Sequence, residues 1–145
     1  MSKTIGRRAD YRYFVTLPTR WADNDIYGHV NNVIYYEWFD TVVARFLIEC
    51  GFLEPRSSPV IGYVVETLCR YHAPIVFPDQ VTAGLRCTRI GNSSVRYEIG
   101  IFRNEAEQAA AEGHFVHVYV DRASETPQTL PPLLREALAG ILVTG

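Results

Sequence analysis

The segment from about residue 31 to residue 50 is too apolar to form a helix with one face fully in water. Its polar residues recur every four positions and form one narrow stripe: Glu37, Thr41, Arg45 and Glu49, with Asp40 beside them. Most of the remaining helix surface is apolar: Val33, Ile34, Trp38, Phe39, Val42, Val43, Phe46, Leu47 and Ile48. Such a helix is mostly buried, so other parts of the chain must wrap around it.

The flanking segments carry strand patterns that supply this cover. Residues 11–17 are rich in aromatic and β-branched side chains, and strands are also predicted at 60–71, 80–90, 95–101 and 109–121. Turn residues at 91–94 favour a hairpin, and prolines near residue 131 precede a short terminal helix. Successive strands joined by short turns imply an antiparallel sheet of about five strands, curled around the long helix. The predicted fold class is α+β.

Length and composition limit the class of protein. The 145 residues match one domain, predicted over 1–145, and a net charge of −2 gives no basic surface for nucleic acid. No apolar run reaches the ~18 residues of a membrane span, and the N-terminus lacks the apolar core of a signal peptide. A cytoplasmic location is therefore expected.

Metal and disulfide sites are not predicted. The three cysteines Cys50, Cys69 and Cys87 are scattered and are expected to be reduced. His114 and His117 lie three apart on a predicted strand, so they project to opposite faces and cannot ligate one ion. No metal or cofactor is expected.

The stretch from Asp23 to Asn32 carries the chemistry. It holds two carboxylates, a glycine, a histidine and two side-chain amides immediately before the long helix. The first amides of a helix lack intrahelical acceptors and lie at the positive end of its dipole, so they can hold a developing oxyanion. A carboxylate beside such a helix start is typical of a site that acts on a carbonyl group.

The motif Asp25–Asn32, leading directly into a sheet-wrapped helix, resembles that of hotdog-fold thioesterases, particularly the 4-hydroxybenzoyl-CoA thioesterase-like branch. The segments 70–79 and 89–95 are similar to two further signatures of that branch and follow in the expected order. The resemblance covers roughly residues 11–120. It implies a hotdog fold and hydrolysis of an acyl thioester, most simply an acyl-CoA, with no cofactor.

The resemblance also implies roles for individual residues. Asp25 takes the position of the catalytic carboxylate, as general base or nucleophile, and the backbone amide near Asn32 matches the donor that polarises the thioester carbonyl. His29 is the third predicted catalytic residue. The predicted substrate-binding residues are Gly28, Val30, Asn31, Ser93, Ser94 and Arg89. The basic cluster that binds CoA phosphates in the 4-hydroxybenzoyl enzyme is replaced here by Gly91-Asn92-Ser93. The CoA phosphates must therefore be bound by other residues, such as Arg86, Arg89 or Arg103. Alternatively, the acyl group is carried by a protein rather than by CoA.

The residues themselves leave alternatives open. Asp25 is also suited to an Asx turn or helix cap, and Asn31 and Asn32 are favoured at helix starts. Asp23 is interpreted as a solvated loop residue that interacts with Arg20, rather than as a second catalytic carboxylate. His29 is a proton donor, a carbonyl ligand or a polar residue at the helix entrance.

Glu37 either faces a dimer partner or a water-filled tunnel, or takes part in the site. Glu66 either forms a structural ion pair or reaches the site of a neighbouring subunit. Other reactions remain as well: a hydroxyacyl-thioester dehydratase of the same fold, or an acyl-CoA-binding module without catalysis. A single sheet wrapped around one helix leaves its edge strands unpaired, and such edges favour a homodimer or homotetramer.

Overall fold

The computed structural model describes residues 4–144, so both limits predicted for the domain, 1 and 145, lie outside the described residues. Five strands and two helices follow one another: β1 (Tyr13–Pro18), α1 (Asn32–Glu49), β2 (Val60–Tyr71), β3 (Gln80–Ile90), β4 (Ser94–Arg103), β5 (Ala111–Asp121) and α2 (Pro132–Ala139). Two short 3₁₀ turns, Arg8–Asp10 and Trp21–Asp23, flank β1.

The strands form one antiparallel sheet in the order β1-β3-β4-β5-β2. This confirms the α+β class, and β3, β4 and β5 succeed one another as predicted. The expectation that successive strands are joined by short turns is wrong for β2 and β3, because β2 pairs with β5 and not with β3. Residues 72–79 therefore cross from one edge of the sheet towards the other. As a result, the 12-residue β2 is an edge strand.

Helix α1 packs one face against the sheet. Seven of its side chains are buried: Tyr35, Trp38, Phe39, Val42, Val43, Phe46 and Leu47. The predicted polar stripe is exposed at Glu37, Asp40, Arg45 and Glu49, and two apolar side chains, Val33 and Ile48, are 65% and 44% exposed. The helix is thus covered on one side only, because one five-stranded sheet cannot enclose it.

The face of β5 that packs on α1 carries two aromatic rings and a histidine: Phe115, His117 and Tyr119. The ring of Phe115 meets Phe39 of α1 edge-on, with centroids 5.7 Å apart. His114 lies on the opposite face, where its Nε2 is 2.8 Å from Glu66 Oε2. The expectation that the two histidines project to opposite faces is confirmed, and Glu66 is an exposed residue that hydrogen-bonds to His114 rather than a buried charge.

Cys50, Cys69 and Cys87 are free thiols. Across residues 4–144, no helix is long and apolar enough to cross a membrane, and no group of three or more potential ligands is placed to hold a metal ion.

Candidate active site

Backbone hydrogen bonds close the loop before α1 at both ends. Asp25 N–H donates to His29 O at 2.8 Å, which places the two predicted catalytic residues side by side across a narrow loop. Val30 N–H donates to Ile75 O, and Asn31 N–H donates to Asp23 O, each at 2.8 Å. The loop is therefore held by the segment before β3 on one side and by the preceding 3₁₀ turn on the other.

Inside this loop, Asp25 has a structural role that leaves part of its carboxylate free. Its Oδ1 accepts a hydrogen bond from Tyr27 N–H at 2.8 Å. This bond forms the Asx turn that the sequence leaves open as an alternative to a catalytic role for Asp25. No bond to Oδ2 is found among residues 4–144. Gly28 has φ +80° with no atom within 4 Å of a Cβ position, so backbone conformation rather than crowding favours glycine there.

The start of α1 presents an unused backbone donor. Asn31 is the N-cap, and its Oδ1 accepts from Val33 N–H at 3.1 Å. Asn32 is the first helical residue, so its N–H has no intrahelical acceptor, and none is found elsewhere in the described chain. This N–H lies at the positive end of an 18-residue helix.

A cavity of about 460 Å³ joins these groups. Of the predicted site residues, it is lined by Asp25, His29, Val30 and Asn32. Gly28 and Asn31 shape the loop and the helix start without lining the cavity. A carboxyl group, an imidazole and an unpaired helix N–H on residues that line one opening can activate water, donate a proton and stabilise an oxyanion.

Five further lining residues come from outside the motif, among them Ala73. Tyr35 of α1 contributes an aromatic wall, and Tyr71, His72 and Pro74 come from the end of β2 and the loop after it. Tyr71 Oη donates to Asn32 O at 3.1 Å, and its ring meets Tyr35 at a centroid distance of 4.9 Å. Burial raises the pKa of Tyr71, so its hydroxyl stays protonated as a donor. The signature at 70–79 marked this segment in the sequence, but nothing there showed which side chains enter the site.

The family follows from comparison with known proteins. A family model of the thioesterase-like superfamily matches residues 19–138. The chain belongs to this superfamily. The PA5185 protein from Pseudomonas aeruginosa strain PAO1 is 49% identical, with a TM-score of 0.93 over 96% of this chain and 97% of that one. None of the curated proteins matches the chain.

Two solved thioesterase structures support the fold of this superfamily. The gentisyl-coenzyme A thioesterase BH1999 is 25% identical, with a TM-score of 0.76 over 87% of this chain and 99% of that one. The DHNA-CoA thioesterase from Staphylococcus aureus is 19% identical, with a TM-score of 0.78 over 87% of each chain. The predicted hotdog fold is confirmed.

Three residues predicted to bind substrate in this thioesterase-like chain lie away from the cavity. Arg89 lies near the end of β3, Ser93 in the turn after it and Ser94 at the start of β4, whereas Val30 of the motif bonds to Ile75, which precedes the first residue of β3, Gln80. Arg89 is nine positions along the strand from Gln80, a distance of about 30 Å. One chain therefore does not bring these residues to Asp25, and their role stays a prediction.

Arg86 and Arg103 are both engaged within the chain. Arg86 Nη2 donates to Glu98 Oε1 at 2.7 Å, and Arg103 Nε lies 2.6 Å from Asp79 Oδ2. Arg103 also lines a second cavity of about 330 Å³, which shares His72 and Ala73 with the site cavity.

The expected contact between Asp23 and Arg20 is present, but the interpretation of Asp23 as solvated is wrong. Its side chain is 1% exposed and accepts from Arg20 Nε at 2.9 Å and Nη2 at 2.7 Å. Its other oxygen accepts from Arg20 N–H at 2.8 Å. Because both oxygens are occupied, Asp23 supports the loop and is not a second catalytic carboxylate. Glu37 lies 3.7 Å from the same guanidinium and is exposed.

Proposed function

We propose that the protein hydrolyses an acyl-CoA thioester to the free acid and CoA. The observation that carries this proposal is the shared cavity, at which the Asp25 carboxylate, the His29 ring and the first N–H of α1 converge. Membership of the thioesterase-like superfamily supports the reaction class.

In the general-base route, the Asp25 carboxylate removes a proton from water while the oxygen attacks the thioester carbonyl carbon. The carbonyl oxygen becomes an oxyanion and is held by Asn32 N–H, at the positive helix end. The oxyanion then re-forms the carbonyl as the carbon–sulfur bond breaks. The proton held by Asp25 passes to the leaving thiolate, either directly or by way of His29, and the carboxylate is restored.

In the nucleophilic route, an Asp25 oxygen attacks the carbonyl carbon directly and the thiolate leaves. The resulting acyl-aspartyl anhydride is then hydrolysed by water, which restores the carboxylate. Both routes need the same free oxygen of Asp25 and the same backbone donor. Single turnover in ¹⁸O-labelled water distinguishes them, because hydrolysis of an anhydride can place ¹⁸O in Asp25.

The carrier is proposed to be CoA. The gentisyl-coenzyme A thioesterase at 25% identity favours this choice. Of the three arginines offered by the sequence as phosphate contacts, Arg103 lines the cavity that adjoins the site. That cavity offers a path for the pantetheine arm past His72 and Ala73.

A homodimer, alone or within a tetramer, is proposed to complete the site. Edge strand β2 exposes Tyr63, Val64 and Val65 by 40%, 46% and 59%, an apolar edge of the kind that pairs with a second copy. In the loop, Ile26 and Tyr27 are 92% and 79% exposed. A partner that covers these groups would also be the way to bring a distant arginine to the site. A cytoplasmic location stays a prediction from the sequence.

The test is thiol release from a panel of short, long and aromatic acyl-CoAs, with wild type and Asp25→Asn. The asparagine retains an oxygen for Tyr27 N–H but cannot act as base or nucleophile, so kcat is expected to fall at least about a hundredfold. Glu136→Gln is the matched control, because this exposed carboxylate lies on α2 and is expected to leave kcat unchanged.

Turnover that survives Asp25→Asn, with the fold intact by circular dichroism, would remove Asp25 from the mechanism. Binding of acyl-CoA without release of thiol from any substrate would contradict hydrolysis and favour a binding module.

A further inference from the structure

Hydrogen bonds hold both peptide groups that meet at the Cα atom of Asn32. In the first group, Asn31 O accepts from Ile34 N–H at 3.0 Å, and the N–H of Asn32 has no partner among residues 4–144. In the second group, Val33 N–H donates to Asn31 Oδ1 at 3.1 Å. The carbonyl of that second group, Asn32 O, accepts from Tyr71 Oη at 3.1 Å. The N–H of Asn32 is therefore an unused donor on a backbone that is held on both sides.

Of these bonds, only the one from Tyr71 comes from the sheet. The others join residues at most three positions apart at the start of α1. Because a peptide group is planar, a contact at its carbonyl and a contact at its N–H together fix its plane. Without the Tyr71 hydroxyl, the plane after Asn32 would be held only by bonds within the helix itself and its cap.

Tyr71 is itself held firmly enough to orient another group. It is the last residue of β2 and pairs with Ala111 of β5, and the next N–H along the chain, that of His72, donates to Ala110 O at 2.8 Å. Its ring meets that of Tyr35 edge-on at a centroid distance of 4.9 Å, and Tyr35 is 3% exposed. The hydroxyl thus extends from a paired backbone and a ring that rests on the core.

Both residues of this bond line the same cavity as Asp25. A backbone donor stabilises an oxyanion only when it points at the position where the charge develops. A misplacement of about 1 Å, caused by a change outside the reacting groups, can cost about a hundredfold in rate. Any contact that fixes the first peptide groups of α1 therefore bears directly on the proposed reaction.

We propose that Tyr71 is a positioning residue: its hydroxyl holds the carbonyl of Asn32 and thereby orients Asn32 N–H towards the thioester oxygen. The inference rests on the proposed function, in which this N–H is the oxyanion donor. Tyr71 acts through Asn32 and takes no part in proton transfer. Loss of its hydroxyl is therefore expected to lower kcat and to leave KM nearly unchanged.

The first experiment compares kcat and KM of wild type and Tyr71→Phe, with the acyl-CoA that wild type hydrolyses fastest. Phenylalanine keeps the ring against Tyr35 and removes only the hydroxyl. We expect kcat to fall about fivefold to tenfold, the rate equivalent of one hydrogen bond, with KM within about twofold. An unchanged kcat would overturn the proposal.

Tyr63→Phe is the matched control for this substitution. Tyr63 lies on the same strand, and its hydroxyl bonds to Glu125 Oε1 at 3.2 Å, away from the cavity of Asp25. Removal of this hydroxyl should leave kcat unchanged.

A double-mutant cycle with Asn32→Pro separates positioning from general stabilisation of the fold. Proline keeps the carbonyl that Tyr71 holds but has no N–H to orient. Adding Tyr71→Phe to Asn32→Pro should therefore lower kcat by less than about twofold. A bond that only stabilises the fold would give the same fold-loss of kcat in both backgrounds, and this additive result would overturn the proposal.

Infrared spectroscopy tests the same role without turnover. Hexanoyl-CoA and benzoyl-CoA, each labelled with ¹³C at the thioester carbonyl, are bound to Asp25→Asn and to the double variant Asp25→Asn/Tyr71→Phe. A well-aimed donor lowers the carbonyl stretching frequency, so the double variant should show the smaller shift on binding. Equal shifts in the two proteins would overturn the positioning role.

The two readouts distinguish failure of this inference from failure of the proposed function. If wild type hydrolyses no acyl-CoA but Tyr71→Phe reduces the carbonyl shift, hydrolysis is wrong and the positioning role stands. If wild type turns over and Tyr71→Phe changes neither kcat nor the shift, hydrolysis stands and the positioning role is wrong.

Discussion

The Tyr71 hydroxyl donates to the backbone carbonyl of Asn32 at 3.1 Å, and this bond joins edge strand β2 to the first residue of α1. Asn32 lines the cavity and its N–H has no partner among residues 4–144, while its carbonyl is held by the sheet. A change at the edge strand can reach the proposed oxyanion donor through a single hydrogen bond. The proposed interface and the proposed reaction centre are therefore directly connected.

Two substitutions at Asn32 distinguish the role of its backbone N–H from the role of its side chain. Asn32→Pro removes the N–H at the first helical position, where proline is well tolerated, and Asn31 already has the extended conformation (φ −61°, ψ 139°) preferred before proline. We expect kcat to fall about 10²–10³-fold, the usual effect of losing one oxyanion donor. Asn32→Ala keeps the N–H and should change kcat by only a few fold. Similar losses in both variants would show that the amide side chain matters instead.

Asn31 is expected to act through stability. Its side chain caps α1 through Val33 N–H, so Asn31→Ala should lower the free energy of unfolding by about 1 kcal/mol, measured by urea denaturation. Asn31→Ser retains a capping oxygen and is the control, with a smaller loss expected. A cap that contributes nothing would leave all three proteins with the same denaturation midpoint.

His117 is expected to make stability depend on pH. The unfolded chain binds a proton near the ordinary histidine pKa of 6.5, whereas the folded pKa is about 4. The unfolded state therefore binds more protons in this window, and the stabilising contribution is complete above pH 6.5 and is lost as the pH falls towards 4. The shift corresponds to about 3 kcal/mol in the free energy of unfolding.

The measurement is urea denaturation of wild type and His117→Phe from pH 7 to pH 4. The titratable groups around His117 are Tyr97 and Tyr119 on the sheet, whose pKa values are raised by burial, and Asp40 and Arg122, which line the same 250 Å³ cavity as His117. The difference between the two proteins isolates His117, and the variant should lose less stability on acidification. Parallel pH profiles would contradict a buried neutral imidazole.

Edge strand β2 is expected to control assembly. Val65 lies at the irregularity in the pairing with β5 and is 59% exposed, so Val65→Lys should disfavour pairing with a second copy. Sedimentation velocity should show a shift from dimer to monomer, together with a loss of kcat. Leu133→Lys is the control, because it replaces a 50% exposed leucine on α2, away from this edge. A dimer that persists in Val65→Lys would place the interface elsewhere.

The sequence predicted the features that depend on neighbouring residues. The limits of α1 follow from the cap at Asn31 and the glycine after Cys50, and the spacing within Asp25–Asn32 already combines a carboxylate with a helix start. The period-two pattern of β4 likewise needs only its own residues. Local chemistry determines these features, so the sequence was sufficient for them.

Features that depend on distant pairing were not predictable in the same way. The position of β2 beside β5 is set by contacts between residues about 50 apart, and only this arrangement brings Tyr71 and His72 to Asn32. The sequence predicts the contact between Asp23 and Arg20, since the two residues are close in the chain. It does not predict that Asp23 is buried. The packing of the buried His117 likewise requires Gly62 on a different strand, because a Cβ there would come within 2.7 Å of His117 Nδ1.

The loop before α1 is fixed at its ends and free at its tip. Val30 and Asn31 are hydrogen-bonded to the scaffold, whereas Ile26 and Tyr27 project with 92% and 79% of their surface exposed. Within one chain, substitutions at these two positions remove little packing, so they carry a low cost in the folding stability of the protomer. Libraries that vary only Ile26 and Tyr27 can therefore sample new loop chemistry beside the cavity while the scaffold remains intact, which makes this tip the natural starting point for engineering acyl-group selectivity.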